Sequence, residues 1–230
     1  MIIEPPVEST ETYLASPPVT SLDELTEERL RSIRLPAGYL AIRRGIELFL
    51  VILSLPITLP ICLLIALAIR LDSSGPVFYW QKRPGKGGRI FKMVKFRSMR
   101  YSRRGVARLT EEADQRVTRL GRFLRLYHLD ELPQLLNVLR GEMSLVGPRP
   151  EPTFMSEVFE RNIPFYEYRR LVPPGMTGWS QINQGYTHDI DSTRIKLHYD
   201  LYYIENLSPR LDFLIACKTV PAVLTRYGAR

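Results

Sequence analysis

The chain has 230 residues, enough for one domain plus tails, and its 45% hydrophobic content excludes wholesale disorder. Two cysteines, Cys62 and Cys217, are too few for a disulfide framework and match no zinc spacing, so a structural metal is not expected. Thirty-two Lys+Arg against 24 Asp+Glu leave a net charge of +8, which points to an anionic partner: nucleic acid, lipid headgroups or a phosphorylated substrate.

The charge is unevenly placed. Residues 1–30 carry seven acids against Arg29 alone, so this stretch is −6 and the rest of the chain is +14. The same stretch holds Pro5, Pro6, Pro17 and Pro18 and no sustained apolar period. Residues 1–34 therefore read as an acidic, largely flexible tail, with a short helix over 21–34 that Ser21 would cap. Acidity and proline are the opposite of a secretory or transit peptide.

Residues 35–70 are expected to enter a membrane. From 48 to 69 no side chain is charged. A helix over that run reaches about 33 Å at ~1.5 Å per residue, enough for a hydrocarbon core of ~30 Å. Two features argue against a simple span. Ser54, Pro56, Thr58 and Pro60 sit mid-run, and each proline removes a backbone donor, so a bend at Ser54 and Pro56 is expected. Both flanks are basic, with Arg31, Arg34, Arg43 and Arg44 before the run and Arg70, Lys82 and Arg83 after it, which gives no orientation. A re-entrant helix–bend–helix that returns to the same face satisfies both. The Ser54 and Thr58 hydroxyls would then bond the carbonyls freed by the prolines, and Arg43–Arg44 with Tyr39 would lie among headgroups. A spanning helix and a buried core helix remain the alternatives.

Residues 71–125 hold fifteen bases against four acids, a solvated or lipid-facing surface. Within them, 76–81 (PVFYWQ) and 90–96 (IFKMVKF) flank Pro84-Gly85-Lys86-Gly87-Gly88 and predict a β-hairpin, with Lys95 and Arg97 alternating away from Phe96. The glycine turn lacks the spacing of a phosphate loop. A helix over 114–126 would put Val117, Leu120, Phe123 and Leu124 on one face. A second, begun by Asp130 as N-cap, would carry Leu132, Leu135, Leu136 and Leu139 and end at Gly141. Beyond lie two turn-rich segments, SLVGPRPEP around Arg149 and PPGMTGWSQIN. An amphipathic C-terminal helix interrupted at Pro221 follows.

Asp130-Glu131 is the most informative pair. Helix capping is one explanation. The other is phosphoryl transfer, which needs a carboxylate nucleophile, a metal ligand and cations for phosphate oxygens, with Arg125, Arg122, Lys95 and Arg97 nearby in sequence.

The ordered runs KFRSM, LDELPQLLNVLRGEMSLVGPRP and PGMTGW closely resemble the bacterial polyprenyl-phosphate sugar phosphotransferases, the monotopic phosphoglycosyl transferases. The resemblance extends from about Arg43 to the C-terminus. It implies transfer of a sugar 1-phosphate from a nucleotide sugar, expected to be a UDP-sugar, to polyprenyl (undecaprenyl) phosphate in the cytoplasmic leaflet of the bacterial inner membrane, starting exopolysaccharide, capsule or O-antigen assembly. By the same resemblance Asp130 is the nucleophile that carries the sugar phosphate. Glu131 is its partner acid, tied to magnesium (Mg2+). Arg125, Lys95 and Arg149 bind phosphate, and Arg97 and Asp200 are further motif positions. His128, just before Leu129-Asp130, reads as a surface or capping histidine.

The expected fold is α+β and mostly helical: the acidic tail (1–34), the re-entrant membrane helix (35–70) and a cytoplasmic-face catalytic domain (71–230) with a short β-hairpin and interfacial amphipathic helices. The expected partners are donor, acceptor and membrane lipids, with a homodimer left open. A catalytically inactive membrane scaffold is the alternative function. Nucleic acid is not an expected partner, because it leaves the uncharged run unexplained and no helix-turn-helix or aromatic RNA-binding signature is present.

Overall fold

The computed structural model describes residues 26–101, 114, 116–184 and 189–224. The expected Ser21 cap lies outside these residues. The first described helix, α1 (Glu27–Arg31), is instead capped by Thr26, whose side chain accepts from the Arg29 N–H.

The apolar run forms one uninterrupted helix, α2 (Ala37–Asp72), which includes Pro56 and Pro60. It is long and apolar enough to cross a membrane. At ~1.5 Å per residue its 36 residues measure about 54 Å along the axis, more than a bilayer core of ~30 Å requires. The expected repair of the proline sites is not what is found. Ser54 Oγ donates to the Val51 carbonyl (2.8 Å) and Thr58 Oγ1 to that of Ser54 (3.0 Å). The carbonyls four residues before the prolines belong to Ile52 and Pro56, so these hydroxyls bond their neighbours instead.

Both ends of the apolar run dock on the body that follows. Val51 is buried with Phe91, Met93, Val138 and Met143, while Ile65 and Ile69 are buried with Phe96 and Leu124. Between them Ile52, Leu53, Ile57 and Leu59 stand exposed. Ahead of the run, Arg43 and Arg44, expected among headgroups, bind protein groups. Buried Arg43 ion-pairs with Glu47 and Asp212 at 3.2 Å each, and Arg44 donates to the Val138 and Leu139 carbonyls.

The hairpin forms as expected and is longer on its first arm. Strands β1 (Phe78–Pro84) and β2 (Ile90–Phe96) pair antiparallel with Phe78 opposite Phe96 and Pro84 opposite Ile90. Gly87 (φ 62°) and Gly88 (φ 78°) close the turn in the left-handed region, where glycine has no Cβ penalty. The next helix, α3 (Arg119–Leu126), begins five residues later than expected, because Thr118 caps it and Val117 bridges to Met99 in extended backbone.

The segment after Tyr127 differs from expectation in form. A 3₁₀ turn, Leu129–Gln134, leads into α4 (Leu135–Leu139), and His128, not Asp130, takes the capping position with φ 54°. Gly141 (φ 77°) follows the helix end, as the leucine pattern predicts. The two turn-rich segments contain an unexpected parallel pair, β3 (Ser144–Val146) and β4 (Gly175–Thr177). Helix α5 (Thr153–Asn162) lies between them in sequence. After β4 come α6 (Trp179–Asn183), α7 (Ile190–Glu205) and α8 (Pro209–Leu224). Pro221 does not interrupt α8, which continues to Leu224. The largest core joins Leu197, Leu201, Tyr203 and Ile204 of α7 to Phe159, Trp179 and Ile215. Among the described residues the fold is α+β and mostly helical, with two small sheets and one long apolar helix toward the N-terminus.

Candidate active site

Three segments meet at the Asp130-Glu131 pair. The 3₁₀ turn lies against β2, and buried Asn137 fixes their register: its Oδ1 accepts from the Val94 N–H (3.1 Å) and its Nδ2 donates to the Lys92 carbonyl (2.9 Å). That clamp occupies the outer edge of β2 and brings Lys95 over the turn. Lys95 Nζ lies 2.6 Å from Glu131 Oε1. From the other side Arg149 reaches Glu131 with both guanidinium ends, Nη1 to Oε2 at 3.0 Å and Nη2 to Oε1, while Nη1 also donates to the Met176 carbonyl (3.3 Å).

The two carboxylates therefore differ. Burial alone would raise Glu131, but Arg149 and Lys95 hold its carboxyl well below the usual carboxylate range. Asp130 is 8% exposed, and its side chain makes no hydrogen bond or ion pair with any described residue. Burial pushes its carboxyl up, opposed by the field of Lys95 and reinforced by Glu131. Burial pulls the Lys95 ammonium down, against the attraction of Glu131. Among the described residues the result is one carboxylate locked between two cations beside another whose oxygens accept no hydrogen bond.

The other expected site residues fall into two groups. Arg125 is within electrostatic reach of Asp130, and its Nε donates to Ser98 Oγ at 2.8 Å. Arg97 and Asp200 are elsewhere. Arg97 is buried and caps α2, donating to the carbonyls of Ser73 (2.6 Å), Ser74 (2.8 Å) and Ile69 (3.4 Å), so its guanidinium closes that helix. Asp200 is 1% exposed on α7 and ion-pairs with Arg169 at 2.6 Å. Sequence reasoning missed Asn137, Arg169 and the half-buried Glu151–Lys196 pair. Their types carry no local signal; only the turn-rich context around Arg149 marked the region. Among the described residues no three His, Cys, Asp or Glu side chains converge on one point.

Residues 38–226 match the family described as bacterial sugar transferase. The chain is 46% identical over 210 residues to the UDP-N-acetylgalactosamine-undecaprenyl-phosphate N-acetylgalactosaminephosphotransferase of Aeromonas hydrophila, covering 91% of this chain and 50% of that protein. It is 44% identical over 174 residues to the UDP-glucose:undecaprenyl-phosphate glucose-1-phosphate transferase of Caulobacter vibrioides, covering 74% of this chain and 65% of that one. It is 42% identical over 195 residues to the exopolysaccharide production protein PSS of Rhizobium leguminosarum bv. phaseoli, covering 81% and 97%. The chain thus spans half the length of the first of these relatives and just under two thirds of the second.

Proposed function

The chain belongs to the bacterial sugar transferase family, and from that premise we propose that it transfers a sugar 1-phosphate from a UDP-sugar to undecaprenyl phosphate, for bacterial exopolysaccharide or related glycan assembly. The observation that carries the reading is the asymmetry of the dyad: Asp130 uncommitted, Glu131 clamped by Lys95 and Arg149.

In the proposed reaction an Asp130 oxygen attacks the sugar-proximal phosphorus of the donor. The bond from that phosphorus to the bridging diphosphate oxygen breaks, and uridine monophosphate leaves with the electron pair. A phosphate oxygen of the acceptor then attacks the same phosphorus, the bond to Asp130 breaks, and the carboxylate is regenerated. Lys95 and Arg149 provide positive charge where phosphoryl oxygens accumulate negative charge, and Arg125 adds a third cation nearby. Clamped Glu131 keeps both cations in place.

Magnesium belongs to this reading through the family. Mg2+ takes one or two carboxylates together with substrate phosphates and waters, so a two-carboxylate site fits it without a third acid. Glu131, its expected ligand, has both oxygens facing Lys95 and Arg149, so Asp130 would offer the open oxygens. When bound, the ion supplies charge neutralisation at the diphosphate.

The apolar helix is proposed to be re-entrant, bent about Ser54 and Pro56, with both flanks and the catalytic domain at the cytoplasmic face of the inner membrane. Docking of Val51 and of Ile65 and Ile69 on one body supports this.

The test is to mix the full-length chain in native membranes with undecaprenyl phosphate, Mg2+ and either UDP-N-acetylgalactosamine or UDP-glucose. Release of uridine monophosphate with a new lipid-linked sugar is expected for at least one donor. Absence of release from a wider panel of UDP-sugars would overturn the reading and leave the inactive scaffold.

A further inference from the structure

Arg149 reaches the dyad from a loop whose backbone is tied at successive residues. The Gly147 N–H donates to the Thr177 carbonyl (2.8 Å), and the Pro148 carbonyl accepts from the Gly175 N–H (3.0 Å). The Arg149 carbonyl accepts from Arg169 Nη2 at 2.8 Å. The Pro150 carbonyl accepts from Arg83, and Glu151 ion-pairs with Lys196. Two prolines in this loop remove the N–H groups that would otherwise need partners.

Among these ties, that from Arg169 has its own buried support. Its Nη2 also ion-pairs with Asp200 Oδ2 (2.6 Å), and its Nη1 donates to the Tyr166 hydroxyl (2.5 Å). The second Asp200 oxygen accepts from Ser180 Oγ at 2.9 Å. Arg169 is 6% and Asp200 1% exposed, and both are taken up by protein groups. A salt bridge so deep is a weak source of net stability, because desolvation offsets attraction. Its geometry has a definite outcome, though: it joins α6 and α7 to the carbonyl of the residue whose side chain holds Glu131.

We propose that Arg169 and Asp200 are positioning residues for the phosphoglycosyl transfer site, acting through the Arg149 carbonyl to aim the Arg149 guanidinium at Glu131. The inference rests on the function proposed above. A guanidinium misplaced by about 1 Å costs a reaction on the order of 10²-fold.

The test is a double-mutant cycle on the full chain in membranes, measuring uridine monophosphate release from the donor that the wild-type chain uses. Arg169→Lys and Arg149→Ala are made singly and together, with Asp200→Asn as a second route to the same defect. Arg169→Lys and Asp200→Asn are each expected to lower kcat about 10²-fold with KM changed much less. The double variant should be no slower than Arg149→Ala alone. A double variant slower by the product of the two single losses would overturn the proposal, as would an unchanged kcat in both Arg169→Lys and Asp200→Asn. Destabilisation without loss of positioning lowers the amount of active protein by the same factor in either background, so it multiplies with the Arg149→Ala loss and the two causes separate. If the wild-type chain releases no uridine monophosphate from any donor, the function itself fails.

Discussion

Lys95 and Glu131 meet at 2.6 Å across the gap between β2 and the 3₁₀ turn, and Asp130, the adjacent residue, is left without a partner among the described residues. Successive residues on a 3₁₀ turn point in different directions, so adjacency in sequence gives the two acids unlike surroundings. Glu131 is neutralised by two cations, while Asp130 is buried beside them and keeps its lone pairs for another electrophile.

That division sets a pH dependence. Burial raises the Asp130 carboxyl and Lys95 opposes the rise, so activity should fall on the acid side as Asp130 protonates. Lys95→Met removes the opposing charge. The acid limb of kcat/KM should then shift to higher pH, and the rate at its plateau should fall by about 10²-fold or more. A pH–rate profile of uridine monophosphate release checks both. An unshifted limb would show that Lys95 does not act on Asp130.

Glu151 gives a stability prediction of definite sign. Burial would raise its carboxyl, but Lys196, Arg169 and Arg83 bring it down to about 2. A carboxyl depressed from an ordinary ~4.3 stabilises the fold above that value, on the order of 2–3 kcal/mol at neutral pH. This contribution is lost as pH falls through about 2. Lys196→Met should therefore raise the pH of acid unfolding, followed by circular dichroism in detergent, with the largest loss of stability above pH ~4. Equal destabilisation at every pH would assign Lys196 a packing role only.

Parts of this arrangement were legible in the sequence for local reasons. The hairpin followed from β-branched and aromatic runs around Gly85, Gly87 and Gly88, and Asp130-Glu131 drew attention because paired acids beside bases are chemically unusual. What stayed hidden depends on contacts between distant segments. Nothing near Arg169 announces that it will hold the carbonyl of Arg149, twenty residues earlier, or ion-pair with Asp200, thirty-one residues later. Arg97 is expected from the hairpin only to alternate away from Phe96; that the end of α2 turns back onto its guanidinium depends on contacts the hairpin sequence does not carry. Strands β3 and β4, at three residues each, are too short for alternation to register.

The membrane segment offers a separate test. In a chain with Cys62 and Cys217 replaced by Ser, single cysteines at Gly38, in the first turn of α2, and Ser74, just past its end, take exposed positions on either side of the apolar run. A membrane-impermeant maleimide added to inside-out vesicles should label both. Labelling of Gly38→Cys from one side and Ser74→Cys from the other would establish a spanning helix.

The most direct test of the central claim is the intermediate itself. The wild-type chain and Asp130→Asn are incubated with donor and Mg2+, without acceptor, and the peptide containing residue 130 is weighed by mass spectrometry. The account predicts a sugar-phosphate adduct on Asp130 that vanishes on adding undecaprenyl phosphate. In Asp130→Asn no adduct should form, and uridine monophosphate release should fall at least about 10³-fold, with membrane association unchanged. Full activity of Asp130→Asn, or uridine monophosphate release by the wild-type chain that requires both substrates together and leaves no adduct, would contradict it.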